Sequence, residues 1–173
     1  AVLNTLDGNT TGAVNAATIT TFTSSTAATL NTAYASSGIS GLGNEAVTIN
    51  DTTLAASVLN TLDGNTSGVV TATSITLLTG TTAEVNTSYA NNTGSGLVLS
   101  SAGSILGLGN EAVTISDTSL AVAALNTLDG NTTGAVNAAT VLTLTGTAAA
   151  VNTAYASSGI TNLGNEAVTL SDT

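Results

Sequence analysis

Apolar residues along the chain follow two alternating rhythms. In AVTI at 46–49 and again at 112–115, Val47 and Ile49, or Val113 and Ile115, alternate with Thr, the period-2 pattern of a short strand. Downstream, Leu120, Ala121, Ala124, Leu125 and Leu128 fall on one face of a 3.6-residue period, as do Leu54, Ala55, Val58, Leu59 and Leu62, so a helix of roughly three turns is expected after each strand. Asp51 or Thr52, and Asp117 or Thr118, stand where an N-cap belongs, with Gly64 and Gly130 as C-terminal stops. The same plan recurs as a strand in 72–79 and then a shorter helix, where Thr81 and Glu84 form a capping box and Val85 and Tyr89 lie one turn apart.

These elements belong to a repeat. LNTLDGNTTG at 3–12 returns as LNTLDGNTSG at 59–68 and LNTLDGNTTG at 125–134, and LGNEAVT recurs at 42–48, 108–114 and 163–169. Glu111 to Glu166 spans 55 residues but Glu45 to Glu111 spans 66, so the middle copy carries 11 extra residues near 93–104, expected to form a loop or short hairpin. The copies run approximately over 1–50, 51–116 and 117–173, in one solenoid segment expected to belong to a longer chain. Inside each copy a weaker echo, ALNT at 124–127 and AVNT at 150–153, gives a unit of about 27 residues, the size of solenoid rungs that bury their apolar faces only by stacking. The expected fold is therefore α/β, a solenoid of stacked strand-helix units with a parallel sheet. An all-β solenoid is the alternative, because Thr is abundant and the helices are short.

Composition narrows the chemistry. The 173 residues hold ten carboxylates and no Lys, Arg, His, Cys, Met, Pro or Trp, for a formal charge of -10. A nucleic-acid partner is excluded for want of basic side chains, and the usual general bases, thiol nucleophiles and zinc ligands are absent, which argues against an enzyme. No apolar run approaches a membrane span. With 42% hydrophobic but only 2% aromatic residues, the chain must fold around a core of Ala, Val, Leu and Ile.

Nine of the ten acids fall into three columns: Asp7, Asp63 and Asp129; Glu45, Glu111 and Glu166; and Asp51, Asp117 and Asp172. The first two columns are candidate Ca²⁺ ligands, since that ion takes oxygen donors, but neither an EF-hand loop nor a GGxGxD nonapeptide is present, and the structural alternative for the acids is that Asp51 and Asp117 cap helices while the Asp-Gly pairs make turns. Asn4, Asn60 and Asn126, with Asn31, Asn86 and Asn152, put one Asn on every rung and predict a hydrogen-bonded ladder. Tyr34, Tyr89 and Tyr155 form an aromatic column, expected to be half-buried with hydroxyls in water, with sugar stacking as the functional alternative. The Thr content also resembles ice-binding arrays, but equivalent positions read Thr20, Thr76 and Leu142, which interrupts the rank such arrays need.

The texts LNTLDGNTTG, AVNAATVLTLTGTAAAVNTAYASSGI and LGNEAVTLSDT resemble tandem repeats of giant extracellular and cell-surface proteins of cyanobacteria, including motility-associated ones. The resemblance implies a structural segment of a fibre or surface layer, acting as scaffold or adhesin, with end-to-end or side-by-side self-association. A binding module for divalent cations, glycans or ice is the competing expectation, and neither reading supplies a catalytic residue or an obligatory cofactor.

Overall fold

The computed structural model describes residues 2–93 and 104–172. The chain runs α1 (Val2–Gly8), β1 (Val14–Asn15), β2 (Thr21–Ser25), α2 (Ala27–Ala35), β3 (Ile39–Ser40), β4 (Ala46–Ile49), β5 (Thr53–Ala55), α3 (Ala56–Asn65), β6 (Val69–Thr71), β7 (Leu77–Gly80) and α4 (Thr82–Ala90). It continues with β8 (Ser104–Leu106), β9 (Ala112–Ile115), β10 (Ser119–Ala121), α5 (Val122–Asn131), β11 (Val136–Asn137), β12 (Thr143–Gly146), α6 (Ala148–Ala156), β13 (Ile160–Thr161) and β14 (Ala167–Leu170). Every strand pair described is parallel, so this is an α/β fold of parallel sheets joined by crossovers.

Two compact units interleave along the sequence. The first contains α1, α2 and most of α3, with sheets β1-β3 and β2-β4-β6-β8; Val47, Ile49, Leu59, Leu62, Val70 and Ile105 form its buried centre. The second contains α4, α5 and α6, with sheets β5-β7-β9-β11-β13 and β10-β12-β14, packed around Leu78, Val113, Ile115, Leu125, Leu128 and Leu144. Each fully buried Leu or Ile contributes about 1.5–3 kcal/mol by leaving water, so the aliphatic columns carry the stabilisation that few aromatics could supply here.

The helix spacing matches the echo in the sequence, but the strands keep a different count. Val113 pairs with Val136, Val136 with Ile160, and Leu120 with Leu144, offsets of 23 and 24 residues rather than about 27. The reason is that helices are separated alternately by two strands and by three: β6 and β7 lie between α3 and α4, whereas β8, β9 and β10 lie between α4 and α5. Strand β9 thus pairs with β7 on one edge and β11 on the other. The 11 extra residues lengthen the Val70↔Ile105 and Leu78↔Val113 offsets to 35, and pairing resumes in register on the far side. The loop or hairpin expected for the insertion lies largely outside the described residues.

Three expected boundaries are corrected. The helices start later than predicted, because Thr53–Ala55 and Ser119–Ala121 are strands that pair with β7 and β12, so neither Asp51 nor Asp117 caps the helix that follows it. Ala121 occupies the N-cap of α5 without a side-chain hydrogen bond. The helices also run past Gly64 and Gly130 to Asn65 and Asn131, so those glycines lie in the last turn rather than ending it. Likewise the strand expected over 72–79 is confined to its second half, in β7.

Candidate functional site

The three acidic columns do three different jobs. In the glutamate column, LGNE forms a tight turn before β4, β9 and β14. Gly43, Gly109 and Gly164 take φ of 137°, 132° and 132°, a region open chiefly to glycine, and each turns its N–H toward the carboxylate two residues on. The Gly43 N–H donates to Glu45 at 2.9 and 3.2 Å, that of Gly109 to Glu111 at 3.0 Å to each oxygen, and that of Gly164 to Glu166 at 2.9 and 3.0 Å. The tyrosine column completes the clamp from the preceding helix: Tyr34 donates to Glu45 at 2.8 Å, Tyr89 to Glu111, and Tyr155 to Glu166 at 3.1 Å. Contrary to expectation, these hydroxyls are bound to carboxylates rather than left in water. In two copies a threonine from the next helix end closes the arrangement, as Thr66 and Thr132 donate to the carbonyls of Glu45 and Glu111 at 2.7 Å.

The electrostatics follow from burial and hydrogen bonding. Burial and the carboxylate facing it push the Tyr34 and Tyr89 phenols far above their ordinary value, and Tyr155 moves the same way. Burial also pushes Glu166 upward, but the Gly164, Asn165 and Glu166 N–H groups and the Tyr155 hydroxyl outweigh it, and its carboxyl is held below the usual range.

The third column caps helices one pass back. Asp51 accepts from the Ala27 N–H at 2.8 Å, Asp117 from the Thr82 N–H at 2.6 Å and Asp172 from the Ala148 N–H at 2.6 Å, at the starts of α2, α4 and α6. The carboxylate thus meets the positive helix end, across the stack rather than along the chain. The expected capping box is present in α4, where the Thr81 N–H donates to Glu84 at 2.8 Å and the Glu84 N–H donates to the Thr81 hydroxyl at 3.2 Å.

The asparagine ladder also forms, mainly to backbone. Asn4 donates to the Thr29 carbonyl, Asn31 to Val58, Asn86 to Ala124 and Asn126 to Ala150, at 3.0 to 3.1 Å, each reaching the next helix. Asn65 and Asn131 add amide-to-amide bonds to Asn31 and Asn86.

The first column is where the copies diverge. Asp7 accepts from the Ser36 hydroxyl at 2.6 Å and Asp129 from the Ser157 hydroxyl at 2.7 Å. In the middle copy the serine is replaced by Asn91, whose amide donates to Asp63 Oδ2 at 2.9 Å, while Asp63 Oδ1 is buried without a partner. Asp63 is 3% exposed, and this burial pushes its carboxyl up despite the Asn91 bond. The sequence columns alone do not separate Asp63 from its equivalents; aligning the residues around them does, since Asn91 stands two residues after Tyr89, where Ser36 and Ser157 stand two after Tyr34 and Tyr155.

The six proposed calcium ligands do not converge: among the described residues, no three acidic side chains gather into a group that could hold a metal ion. No described helix is long and apolar enough to cross a membrane. Comparison with known proteins found no matching family model, no matching curated protein and no matching solved structure.

Proposed function

We propose that the chain is a structural repeat segment of an extracellular or cell-surface fibre or layer, a scaffold or adhesin that works by stacking on further copies of its own repeat. The observation that carries this reading is the state of β14. Its Val168 and Leu170 are 40% and 54% exposed, whereas the equivalent Val113 and Ile115 of β9 are 0% and 1% exposed beneath the neighbouring pass. The unpaired edge of β14 also offers backbone groups to another parallel strand. The α1 end has the complementary surface: Val2 and Leu6 are exposed beside an apolar cavity of about 440 Å³ that Leu3, Ile19, Phe22 and Leu30 also line. Within the molecule the copies of Leu6, namely Leu62 and Leu128, are fully buried.

The polar side chains support the stacking role in a second way. Asp carboxylates and Asn amides join one pass to the next, an arrangement that suits repetition rather than turnover. The cell-surface placement rests on the resemblance of the repeat text and on the uncompensated charge of -10, which multiplies with every added copy.

Sedimentation velocity over a dilution series tests the stacking. Reversible assembly into rods is expected, weakened by Val168→Asp with Leu170→Asp; a monomer at every concentration, unchanged by these substitutions, would count against it. Antibody labelling of intact source cells tests the location, and signal only after lysis defeats it.

A further inference from the structure

We infer that two molecules join head to tail through one defined strand pairing, β14 of one against β1 of the next, with Val168 opposite Val14 and Thr169 opposite Asn15. This pairing rests on the stacking proposed above and gives it a surface and a register. The sheet β5-β7-β9-β11-β13 is five-stranded and uninterrupted. By position in the repeat, β10-β12-β14 corresponds to its first three strands and β1-β3 to its last two. Among the described residues β14 pairs only with β12 and β1 only with β3, so each leaves open the edge that its equivalents, β9 and β11, use on each other. The register is set twice inside the chain: Val113 faces Val136 and Thr114 faces Asn137, as Val47 faces Val70 and Thr48 faces Thr71. Both faces keep the text of that internal junction, since LGNEAVT at 163–169 repeats 108–114 and GNTTGAVN at 8–15 repeats 130–137 without a change.

The turn before β1 is also prepared for a partner. At the internal junctions the hydroxyl of Thr66 or Thr132 donates to the Glu45 or Glu111 carbonyl, and the next N–H, of Ser67 or Thr133, donates to the Gly43 or Gly109 carbonyl at 2.8 or 2.9 Å. Thr10 and Thr11 hold the same positions in the first copy, where both are exposed. Their turn is already built: the Gly12 N–H donates to the Thr10 hydroxyl at 3.0 Å, as Gly68 does to Thr66 and Gly134 to Thr132. Gly12 carries the argument furthest. A β-carbon on Gly68 or Gly134 would collide with the carbonyl of Glu45 or Glu111, so the close approach of the two passes there requires glycine. A β-carbon on Gly12 would meet only the Thr10 hydroxyl oxygen, at 3.5 Å, which is an ordinary contact. Among the described residues no neighbour requires that glycine; the Glu166 carbonyl of a second molecule, docked in this register, does. The two faces differ and each molecule carries both, so the contact is heterologous and every added molecule presents it again.

The test is sedimentation velocity of the full chain and of two variants, Gly12→Ala and Gly8→Ala, over one dilution series. Gly8 is the control, because a β-carbon there, as at Gly64 and Gly130, meets no atom within 4 Å. Gly12→Ala is expected to weaken association more than about tenfold, since the new methyl group stands where the carbonyl must dock, and Gly8→Ala to leave it unchanged. At concentrations where all three are monomeric, both variants should melt as the parent chain does, which separates a blocked interface from a damaged fold. Association of Gly12→Ala at parental strength overturns this pairing and leaves stacking by another surface in place. Equal weakening by the two substitutions overturns it as well, and a parent chain that stays monomeric at every concentration overturns both the pairing and the stacking.

Discussion

LGNEAVTISDT at 108–118 and LGNEAVTLSDT at 163–173 differ at one position, yet they sit in opposite environments. Strand β9 has β7 on one edge and β11 on the other, and its Val113, Ile115, Glu111 and facing Tyr89 are all buried. Strand β14 has β12 alone, and its Val168, Leu170 and the facing Tyr155 are exposed. The Gly–Glu turn bond, the Tyr–Glu clamp and the Asp cap recur in both, so none of them depends on the pass that follows. Burial is not local: it comes from the pass that follows. A one-dimensional repeat divides its stability in this way, into a term each copy owns and a term each copy shares with its neighbour.

Core truncation should separate the two terms most strongly. Ile115→Ala leaves a cavity between β7, β9 and β11 and is expected to cost about 3 kcal/mol, while Leu170→Ala should cost less than about 1 kcal/mol. Guanidinium unfolding of the two variants measures the difference directly. Equal costs would show that β14 is covered in solution, and would be explained by association at that edge.

The clamp comes next. Glu111→Ala strands the half-buried Gly109 N–H and the buried Tyr89 hydroxyl, at an expected cost of about 2 kcal/mol, since an orphaned buried donor loses its full solvation. Glu166→Ala leaves the corresponding Gly164 and Tyr155 groups nearer to water and should cost about half as much. A smaller contrast is expected at the caps. Asp117→Ala removes the acceptor for both the Thr82 N–H and the Thr82 hydroxyl and should cost about 1 kcal/mol, with Asp172→Ala below that because its site is exposed. Thermal melts of the four variants check both pairs.

How much of this was legible in the sequence follows from the same division. Period-2 text placed β4 and β9 at their residues, the Thr81–Glu84 box was visible as a motif, and the α/β class follows from the alternation of the two periods. Each is a local property. The caps were misassigned because Asp51 and Asp117 immediately precede apolar runs, and nothing in the linear text shows that Thr53–Ala55 and Ser119–Ala121 pair as strands, moving the helix start past the aspartate. The true acceptor role spans 24 residues from Asp51 to Ala27 and 35 from Asp117 to Thr82, a relation fixed only by stacking. The tyrosine hydroxyls were missed as glutamate donors for the same reason, although both columns were visible. Of the proposed calcium residues, the glutamates turned out to be occupied by N–H groups and hydroxyls, and only Asp63 retains an unused buried oxygen.

The smallest contrast is in pH dependence, and its sign differs between acid and alkaline limbs. Glu166 is held below its ordinary value of 4.5, so the stabilisation it confers is complete above that value and is lost as pH falls through the lower folded value. Asp63 is raised above its ordinary 3.8, so its contribution has the opposite sign, present below that value and lost as pH rises through the folded one. Glu166→Gln should therefore flatten the acid loss of stability, and Asp63→Asn should steepen it. On the alkaline side, Tyr89 and Tyr155 both resist ionisation, so stability falls as pH rises past the ordinary phenol value of 10, because only the unfolded chain releases the proton there. Phenolate absorbance distinguishes the two tyrosines through Tyr155→Phe. The remaining signal, from Tyr34 and Tyr89, should appear later in the titration and together with unfolding; a signal that rises at the ordinary value in the folded variant would break the parallel between burial and clamp.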